Sequence, residues 1–453
     1  MITVMKFGGT SVGSAEGFRR AAEIVSDAEG SKVVVVSAMS GVTNYLISFL
    51  DSGESNADEV IASLRQKHVD AAKEVLSPAL LEEYLEVLDV RLQGLKELLE
   101  DTGVRSDPYF NDNISSQGER LSSVTMSYVL RDAGLDSVPL CSEEAGIHAV
   151  GCPGAGFADL DLTSRDLSYT LRPLLENNKV PVITGFYGKN GNGKPMTFGR
   201  GGSDYSAAVI AHAIDADFLE IWTDVDGFMT ADPRIVDGAK TIDEMNFSEA
   251  AELAYFGAKV LHPRTIEPVR RKHIPVRVKN SFNPAGEGTI IHHLRAPQDE
   301  LLRSVAVKTD LSIITVNSSE IAYRPRMVAS IIDRIGDANV IVYAISTSLS
   351  TIAFLIHNND VKDVLRNLNR LEGDEIERID VKSNMCLICA VGDNLLDRCG
   401  ASAEIFSKVR DANANVELIS EGASTVSLNF VVSMDRATAV VRALHEGFIG
   451  DLQ

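Results

Sequence analysis

Short apolar runs alternate with amphipathic stretches along the first two thirds of the chain. Strand-like runs lie at 4–7, 33–36, 180–185 and 217–222, and helical periodicity covers 15–28 and roughly 57–101. The run Val33–Val36 is continuously β-branched, which is typical of a strand buried on both faces of a parallel sheet. This order of elements predicts a three-layer αβα sandwich with a mainly parallel sheet over residues 1–295.

The last third of the chain has a different pattern of predicted elements and contains an internal repeat. A linker is expected around Arg295-Ala296-Pro297. Beyond it, Asp337-Ala338-Asn339 recurs 74 positions later as Asp411-Ala412-Asn413. The same offset, without a gap, aligns Ala329 with Ala403, Ile331 with Ile405, Val342 with Val416, and Ile345-Ser346 with Ile419-Ser420. We therefore expect two small α+β units, 304–378 and 379–453, each reading strand, helix, strand, strand, helix. Strand 304–309 can also pair with the second unit.

Composition and charge exclude several classes of partner. The 453 residues are 45% hydrophobic and carry a net charge of −21, so we expect no nucleic-acid or membrane partner, since both require a basic face. Five cysteines without regular spacing predict no disulfide framework, and Cys386 and Cys389 are expected to be buried core thiols. We read no targeting segment at the start of the sequence and expect a cytoplasmic protein.

Two glycine-rich turns are the first candidates for chemistry. Lys6-Phe7-Gly8-Gly9 ends a predicted strand, where bare backbone N–H groups can approach phosphate oxygens and Lys6 adds a point charge. A plain turn is the alternative. Gly199-Arg200-Gly201-Gly202-Ser203-Asp204 precedes a predicted helix. Arg200 can bind a carboxylate with two parallel hydrogen bonds, whereas Asp204 could equally be a helix cap.

Further candidates depend more strongly on context. Thr223-Asp224 directly follows an apolar strand, and with Asp232-Pro233-Arg234 it would form a loop that holds a nucleotide. A calcium loop is disfavoured, because Asp224-Val225-Asp226 lacks the remaining ligand pattern. Lys259 is a second candidate cation for phosphates or a solvated lysine. Glu119 is a helix cap, an exposed residue or a ligand, and Thr43 is a ligand or an N-cap.

Taken together and in this order, the motifs resemble the amino acid kinase family, and within it the aspartate kinases. The matching stretches are KFGGTSVGS at 6–14, VVVSAMSGVTN at 34–44, SQGERLS at 116–122, TGFYG at 184–188, FGRGGSDYSAA at 198–208, IWTDVDGFMTADPR at 221–234 and AYFGAKVLHPRTIEP at 254–268. The tandem repeat resembles the paired ACT modules that follow the kinase domain in that family. The resemblance implies a monofunctional kinase that moves the γ-phosphoryl group of ATP, with Mg²⁺, onto the β-carboxylate of L-aspartate.

The resemblance also divides the candidate residues between two ligands. Nucleotide positions are Lys6, Gly8, Gly9, Thr223, Asp224, Arg234 and Lys259, and aspartate positions are Thr43, Glu119, Arg200, Ser203 and Asp204. Lys6 and Asp204 are the expected catalytic pair, and no protein-held metal is expected. A carboxylate acceptor is already ionised at neutral pH, so no general base is needed. A kinase for another acidic amino acid and a non-catalytic amino-acid sensor remain the alternatives.

Regulation and assembly are further expectations. The paired modules imply an amino-acid effector, threonine or lysine, bound between units of two chains in a homodimer or larger assembly. Many lysine-sensing relatives have a Ser-x-Gly turn and acidic residues in the first module. The corresponding positions here are Arg324, Arg326, Tyr343 and Leu349. This difference slightly favours threonine over lysine.

Overall fold

The computed structural model describes residues 1–52, 56–257, 260–294, 300–371, 376–393, 395–422 and 424–449. The chain forms two compact units. The first contains Met1–Phe228, Thr241–Ala250 and Lys259–Leu294, and the second contains Met229–Lys240, Ala251–Ala258 and Arg295–Gln453. The predicted linker at 295–297 lies outside the described residues.

The first unit contains a large sheet, two small hairpins and the helices around them. Its strands are β1 Ile2–Phe7, β2 Ser31–Val36, β3 Ser137–Leu140, β4 Ala149–Cys152, β5 Ala155–Ala158, β6 Val180–Thr184, β7 Tyr187–Lys189, β8 Pro195–Thr197, β9 Phe218–Thr223, β10 Glu244–Asn246, β11 Val276–Asn280 and β12 Thr289–His292. The helices are α1 Ala15–Asp27, α2 Val42–Ser52, α3 Ala57–Lys73, α4 Pro78–Glu100, α5 Phe110–Ser115, α6 Gln117–Asp132, α7 Ser142–Ala145, α8 Leu160–Glu176, α9 Gly202–Ala213, α10 Phe247–Phe256 and α11 Ile266–Arg271. Helix α10 begins in the first unit and ends in the second.

The large sheet has the strand order β10-β12-β11-β9-β1-β2-β6-β3. Its neighbours are parallel except for the β11–β12 pair. Val33 to Val36 are all 0% exposed, and because neighbouring residues of a strand face opposite sides, both faces of the sheet are covered. The predicted fold class, a mainly parallel α/β sheet, is confirmed.

The strand order also predicts where a ligand binds. From β1 the chain continues to β2 on one side, whereas β9 lies on the other side of β1. The order of the strands therefore reverses at β1, and ligands of open α/β sheets bind beside the carboxyl ends of strands at such a switch point. Lys6 lies near the carboxyl end of β1, and Thr223 is the last residue of β9.

The second unit follows the repeat that the sequence contains. Its elements are β13 Ser304–Asn317, α12 Pro325–Gly336, β14 Val342–Thr347, β15 Thr351–His357, α13 Val361–Leu368, β16 Arg378–Val391, α14 Ala401–Asp411, β17 Leu418–Ser420, β18 Ser427–Ser433 and α15 Met434–Phe448. Non-glycine residues with positive φ recur at the same offset: Asp310 (61°) with Asn384 (59°), and Asn339 (50°) with Asn413 (53°). The predicted repetition of strand, helix, strand, strand, helix is confirmed.

The two repeats share one antiparallel sheet, ordered β14-β15-β13-β16-β18-β17. Ser304–Lys308 of β13 pairs with Leu387–Val391 of β16, and Leu311–Asn317 pairs with the first half of β16. One sheet edge of each repeat is therefore covered by the other repeat within the same chain, because β13 and β16 are both long enough to run through both repeats.

Two segments that lie within the range of the predicted kinase domain, residues 229–240 and 251–258, are part of the second unit. The Val305 N–H donates to the Thr230 carbonyl oxygen at 2.9 Å, and the Thr230 hydroxyl lies 2.9 Å from His445 Nε2. Ala231 and Val236 are buried in the same cluster as Leu428 and Phe430 of β18. In the other segment, Glu252 accepts a hydrogen bond from the Ser427 hydroxyl at 2.9 Å. Residues 229–240 therefore depend on the C-terminal third of the chain for their packing.

The remaining features of the fold are the state of the cysteines and the hydrophobicity of the helices. All five cysteines have free thiols, and Cys386 and Cys389 are fully buried, as predicted. Their pKa values are raised by burial, which makes both thiols unreactive. No helix in the described ranges is long and apolar enough to cross a membrane.

Candidate functional site

A buried ion pair joins the centre of the large sheet to the start of a helix. Lys6 Nζ lies 2.5 Å from Asp204 Oδ1, and the two side chains are 9% and 15% exposed. Lys6 is brought there by β1, the central strand, and Asp204 by the first turn of α9. The structure thus joins two residues that are far apart in sequence and that were predicted to act together.

The glycine turn after β1 is as tight as the sequence predicts. The Gly8 N–H donates to the Trp222 carbonyl oxygen at 3.0 Å, which ties the turn to β9. A Cβ at Gly9 would lie 2.8 Å from the Ala38 carbonyl oxygen, so this close approach requires glycine. Trp222, the single tryptophan of the chain, stacks on Phe7 with a centroid distance of 6.2 Å. Its fluorescence can therefore report on events at the turn.

The loop before α9 holds Arg200 between two left-handed glycines, Gly199 and Gly201, both with φ of 73°. A Cβ at Gly201 would lie only 2.3 Å from the Cβ of His262, so a larger residue would displace the loop. Arg200 is exposed, and no described carboxylate pairs with it. The charge of Arg200 is therefore available to an incoming anion.

These residues surround one cavity of about 620 Å³. Its lining includes Lys6, Ser37, Thr43, Asn44, Asp112, Gly154, Phe186, Thr197, Arg200, Ser203 and Asp204. Phe186 has a φ of 80°, a strained value for a residue with a Cβ, and such values are concentrated at functional sites. Thr43 is the second residue of α2, and Gly41 accepts the first hydrogen bond of that helix, so the N-cap alternative for Thr43 is wrong.

Glu119 lies behind the cavity wall rather than in the lining. It is 3% exposed, and its Oε1 accepts the Ala38 N–H at 3.1 Å. Glu119 is therefore neither a helix cap nor an exposed residue, the two ordinary possibilities for this position. Burial raises the pKa of Glu119 to about 8, although the Ala38 N–H and the charge of Lys6 act in the opposite direction. Near neutral pH the side chain is therefore largely protonated.

This pKa predicts a pH dependence. If Glu119 contacts a substrate ammonium, it must be ionised, so below about pH 8 ligand binding requires proton release. We expect kcat/KM for the amino acid to rise about tenfold per pH unit below that value and then to level off. In Glu119→Gln the profile should be flat and kcat/KM lower at pH 8. The measurement is the pH–rate profile of both proteins, and an equal slope in Glu119→Gln would contradict this role.

The other residues that were predicted to bind the nucleotide lie in different environments from one another. Thr223 ends β9, and its carbonyl oxygen accepts the Ser281 N–H at 2.8 Å. Asp224 follows and accepts the Thr223 hydroxyl at 3.2 Å. Arg234 belongs to the second unit, is 85% exposed and pairs with Asp232 at 2.6 Å. Lys259 lies outside the described residues.

Asp112 is a cavity residue that was not predicted from the sequence. This carboxylate is 4% exposed, lines the cavity and accepts hydrogen bonds from Gly154 and Thr197. A polar stretch, Asn111-Asp112-Asn113, directly precedes the SQGERLS motif and was the available signal. Its partners are about 40 and 85 residues away in sequence, so the pairing itself could not be predicted from spacing.

Comparison with known proteins agrees with this geometry. Residues 1–280 match the family model of the amino acid kinase family, and residues 388–448 match an ACT domain. Lysine-sensitive aspartokinase 3 of Escherichia coli is 32% identical over 98% of both chains. The bifunctional aspartokinase/homoserine dehydrogenase 2 of Arabidopsis thaliana is 32% identical over 99% of this chain, which spans about half (51%) of that relative.

Two solved structures extend the comparison to three dimensions. The crystal structure of E. coli aspartokinase III with aspartate and ADP has a TM-score of 0.83 at 30% identity, covering 99% of both chains. The complex of the same enzyme with lysine and aspartate has a TM-score of 0.82 at 30% identity, covering 98% of this chain and 99% of that one. An α/β kinase domain followed by ACT modules defines a regulated small-molecule kinase. The chain belongs to the amino acid kinase family, in its aspartokinase branch.

Proposed function

We propose that this protein is an aspartate kinase, which transfers the γ-phosphoryl group of ATP to the β-carboxylate of L-aspartate and forms 4-phospho-L-aspartate. This is the first step towards lysine, threonine and methionine. One observation carries the proposal beyond family membership: the Lys6–Asp204 pair lies in the same cavity as the exposed Arg200. Lys6, the cation proposed for the phosphoryl group, and Arg200, the cation proposed for the α-carboxylate, therefore line the same cavity.

In the proposed reaction, a β-carboxylate oxygen attacks the γ-phosphorus, and the bond from that phosphorus to the bridging oxygen breaks to release ADP. The nucleophile is already ionised, so the protein contributes position and charge rather than a base. Lys6 stabilises negative charge on the transferring group, and Asp204 fixes the Lys6 ammonium at 2.5 Å. Arg200 and Ser203 hold the α-carboxylate end, and Thr43 contributes to the lining of the same cavity.

The nucleotide is proposed to bind along the Gly8-Gly9 turn, Thr223 and Asp224, with Lys259 as a further cation. Mg²⁺ would arrive with ATP. Magnesium bound to nucleotides commonly needs only one or two protein carboxylates, because phosphates and water supply the other oxygens.

The direct test is ADP release across a panel of amino acids. We expect aspartate to support turnover, with glutamate and N-acetylglutamate at least about 10²-fold poorer in kcat/KM, because an acceptor with an extra methylene or a blocked amine fits the site less well. The product should be trapped by hydroxylamine as the hydroxamate of the β-carboxyl group. Preference for another acidic amino acid would establish the first alternative. Absence of turnover with every acceptor, while nucleotide still changes Trp222 fluorescence, would establish a non-catalytic sensor.

Assembly and location are further parts of the proposal. A homodimer or larger assembly through the ACT repeats is supported by exposed apolar side chains on both repeats, namely Ile341, Ile345, Leu349, Val381 and Ile419. Ile345 and Ile419 are equivalent in the repeat and are 46% and 45% exposed. A cytoplasmic location is supported by the five free thiols, since reducing compartments preserve them.

Regulation is proposed to act through an amino acid at the turns before α12 and α14, near 318–326 and 392–400, between units of two chains. The turn before α12 has charged groups of both signs, since Arg324 pairs with Glu320 at 2.9 Å. Arg326, in the first turn of α12, is exposed. An ACT-bound effector can act only by binding two arrangements of the protein with different affinities. Threonine is favoured, and lysine, to which the E. coli relative is sensitive by name, is the rival.

We expect millimolar threonine to inhibit full-length enzyme by about 5–150-fold at saturation, and lysine to inhibit less. Arg326→Asp should weaken inhibition, whereas Arg334→Asp, at the other end of α12, should not. Activity is titrated against each amino acid. A chain ending near residue 294 is a poor control, because residues 229–240 would lose the core that buries Ala231 and Val236. If neither amino acid inhibits, the regulatory proposal fails.

A further inference from the structure

Asp112 is a buried carboxylate at the cavity that the proposed reaction does not use. Its Oδ2 accepts the N–H groups of Gly154 at 3.0 Å and Thr197 at 3.1 Å. Its Oδ1 accepts the Thr197 hydroxyl at 2.9 Å. All three residues line the cavity. A carboxylate that is 4% exposed and accepts three hydrogen bonds holds its donors firmly, because losing any of them would leave a buried polar group unpaired.

The two segments that Asp112 joins determine the position of the Arg200 loop. Thr197 ends β8 and is followed by Phe198, whose carbonyl oxygen accepts Arg264 Nη1 at 3.3 Å, and then by the loop. Gly154 lies in the turn between β4 and β5. A Cβ at Gly199 would lie 3.1 Å from the Gly154 carbonyl oxygen, so the two turns are in close contact. Asp112 thus holds both the start of the Arg200 loop and the turn against which that loop packs.

The same stretch of chain also holds the loop between β2 and α2, a second segment beside the cavity. Helix α5, which contains Asp112, leads directly into α6. There Glu119 accepts the Ala38 N–H at 3.1 Å, and the Ser122 hydroxyl accepts the Met39 N–H at 3.0 Å. Ala38 and Met39 belong to the loop between β2 and α2, which leads to Thr43. Residues 110–122 therefore connect the loop between β2 and α2 with the segments that hold the Arg200 loop.

We infer that Asp112 is a positioning residue that selects the length of the acceptor amino acid by fixing Arg200 relative to Lys6. The inference rests on the proposed function. If Arg200 holds the α-carboxylate while the other carboxylate faces the phosphoryl group near Lys6, the separation of these two cations decides whether a four-carbon or a five-carbon diacid reaches in-line geometry. An error of about 1 Å in such a separation can cost about 10²-fold in rate.

Two substitutions at Asp112 separate positioning from direct substrate contact. Asp112→Ala removes all three hydrogen bonds. Asp112→Asn can keep them, because its oxygen accepts the two backbone N–H groups and its amide donates to the Thr197 hydroxyl, which rotates to accept. We expect Asp112→Ala to raise the KM for aspartate about 10–100-fold and to lower the aspartate-to-glutamate ratio of kcat/KM at least about tenfold, with the KM for ATP within about threefold. Asp112→Asn should stay within about threefold of wild type. If Asp112→Asn changed these kinetic constants as much as Asp112→Ala, the negative charge of Asp112 would contact the substrate directly. That result would overturn the inference.

A second pair of variants keeps the inference testable if Asp112→Ala does not fold, as judged by thermal denaturation. Thr197→Val removes one of the three hydrogen bonds and should shift the KM for aspartate and the aspartate-to-glutamate ratio in the same direction but less. Thr197→Ser should restore both. Asp107→Ala is the matched control, since Asp107 precedes α5 and pairs with Lys194 of the same hairpin outside the cavity lining. An active wild type with unchanged values in Thr197→Val overturns the inference alone, whereas a wild type without aspartate kinase activity overturns the proposed function.

Discussion

Lys6→Met is expected to lower kcat for phosphoryl transfer by about 10²–10³-fold, the usual cost of losing one donor to developing negative charge. Lys6 is the central cation of the cavity and is nearly buried, so water cannot readily replace it. The substitution also leaves the Asp204 carboxylate, only 15% exposed, without its partner. The measurement is kcat from ADP release at saturating aspartate and ATP.

Two controls separate this chemical role from a loss of folding. Lys32→Met substitutes another, half-buried lysine on the neighbouring strand β2 and should leave kcat within about twofold, because Lys32 lies outside the cavity lining. Lys6→Arg keeps the charge and should recover part of the rate. ADP binding followed through Trp222 fluorescence, together with the thermal midpoint, reports whether the site remains formed. A kcat for Lys6→Met within threefold of wild type would refute the assignment of Lys6.

Arg200→Lys is expected to raise the KM for aspartate about 10–100-fold and to leave the KM for ATP nearly unchanged. A lysine keeps the positive charge but cannot make two parallel hydrogen bonds to a carboxylate. The loop itself should survive, since Arg200 is exposed and its conformation is determined by Gly199 and Gly201. The two KM values are measured by varying each substrate at saturation of the other.

Arg165→Lys is a suitable control for this substitution. Arg165 is 70% exposed, pairs with Asp166 on α8 and lies outside the cavity lining, so neither KM should change. A rise in the KM for ATP rather than for aspartate would place Arg200 on the nucleotide side. The division of the cavity into a phosphate end and an amino-acid end would then be wrong.

Local pattern was sufficient for much of the fold. The β-branched run Val33–Val36 predicts a doubly covered strand because side chains of alternate residues face opposite sides, and the paired glycines after Lys6 predict a turn because only glycine permits that approach. The 74-residue repeat predicts the elements of the second unit, and the structure adds that the left-handed residues Asp310 and Asn384 lie at the same offset. These properties depend on neighbours along the chain or on a fixed offset.

Tertiary structure alone decided how distant groups pair. Nothing near Glu119 in sequence shows that it is buried against Ala38, which raises its pKa to about 8. Nor does local pattern show that Asp112 joins Gly154 to Thr197. The pairing of β13 with β16 inside one chain, and the packing of residues 229–240 in the second unit, likewise depend on contacts across long separations. Sequence by itself therefore determined the elements, the repeat and the candidate charges, whereas folding decided their burial and partners, because desolvation and hydrogen bonding depend on what the whole chain brings together.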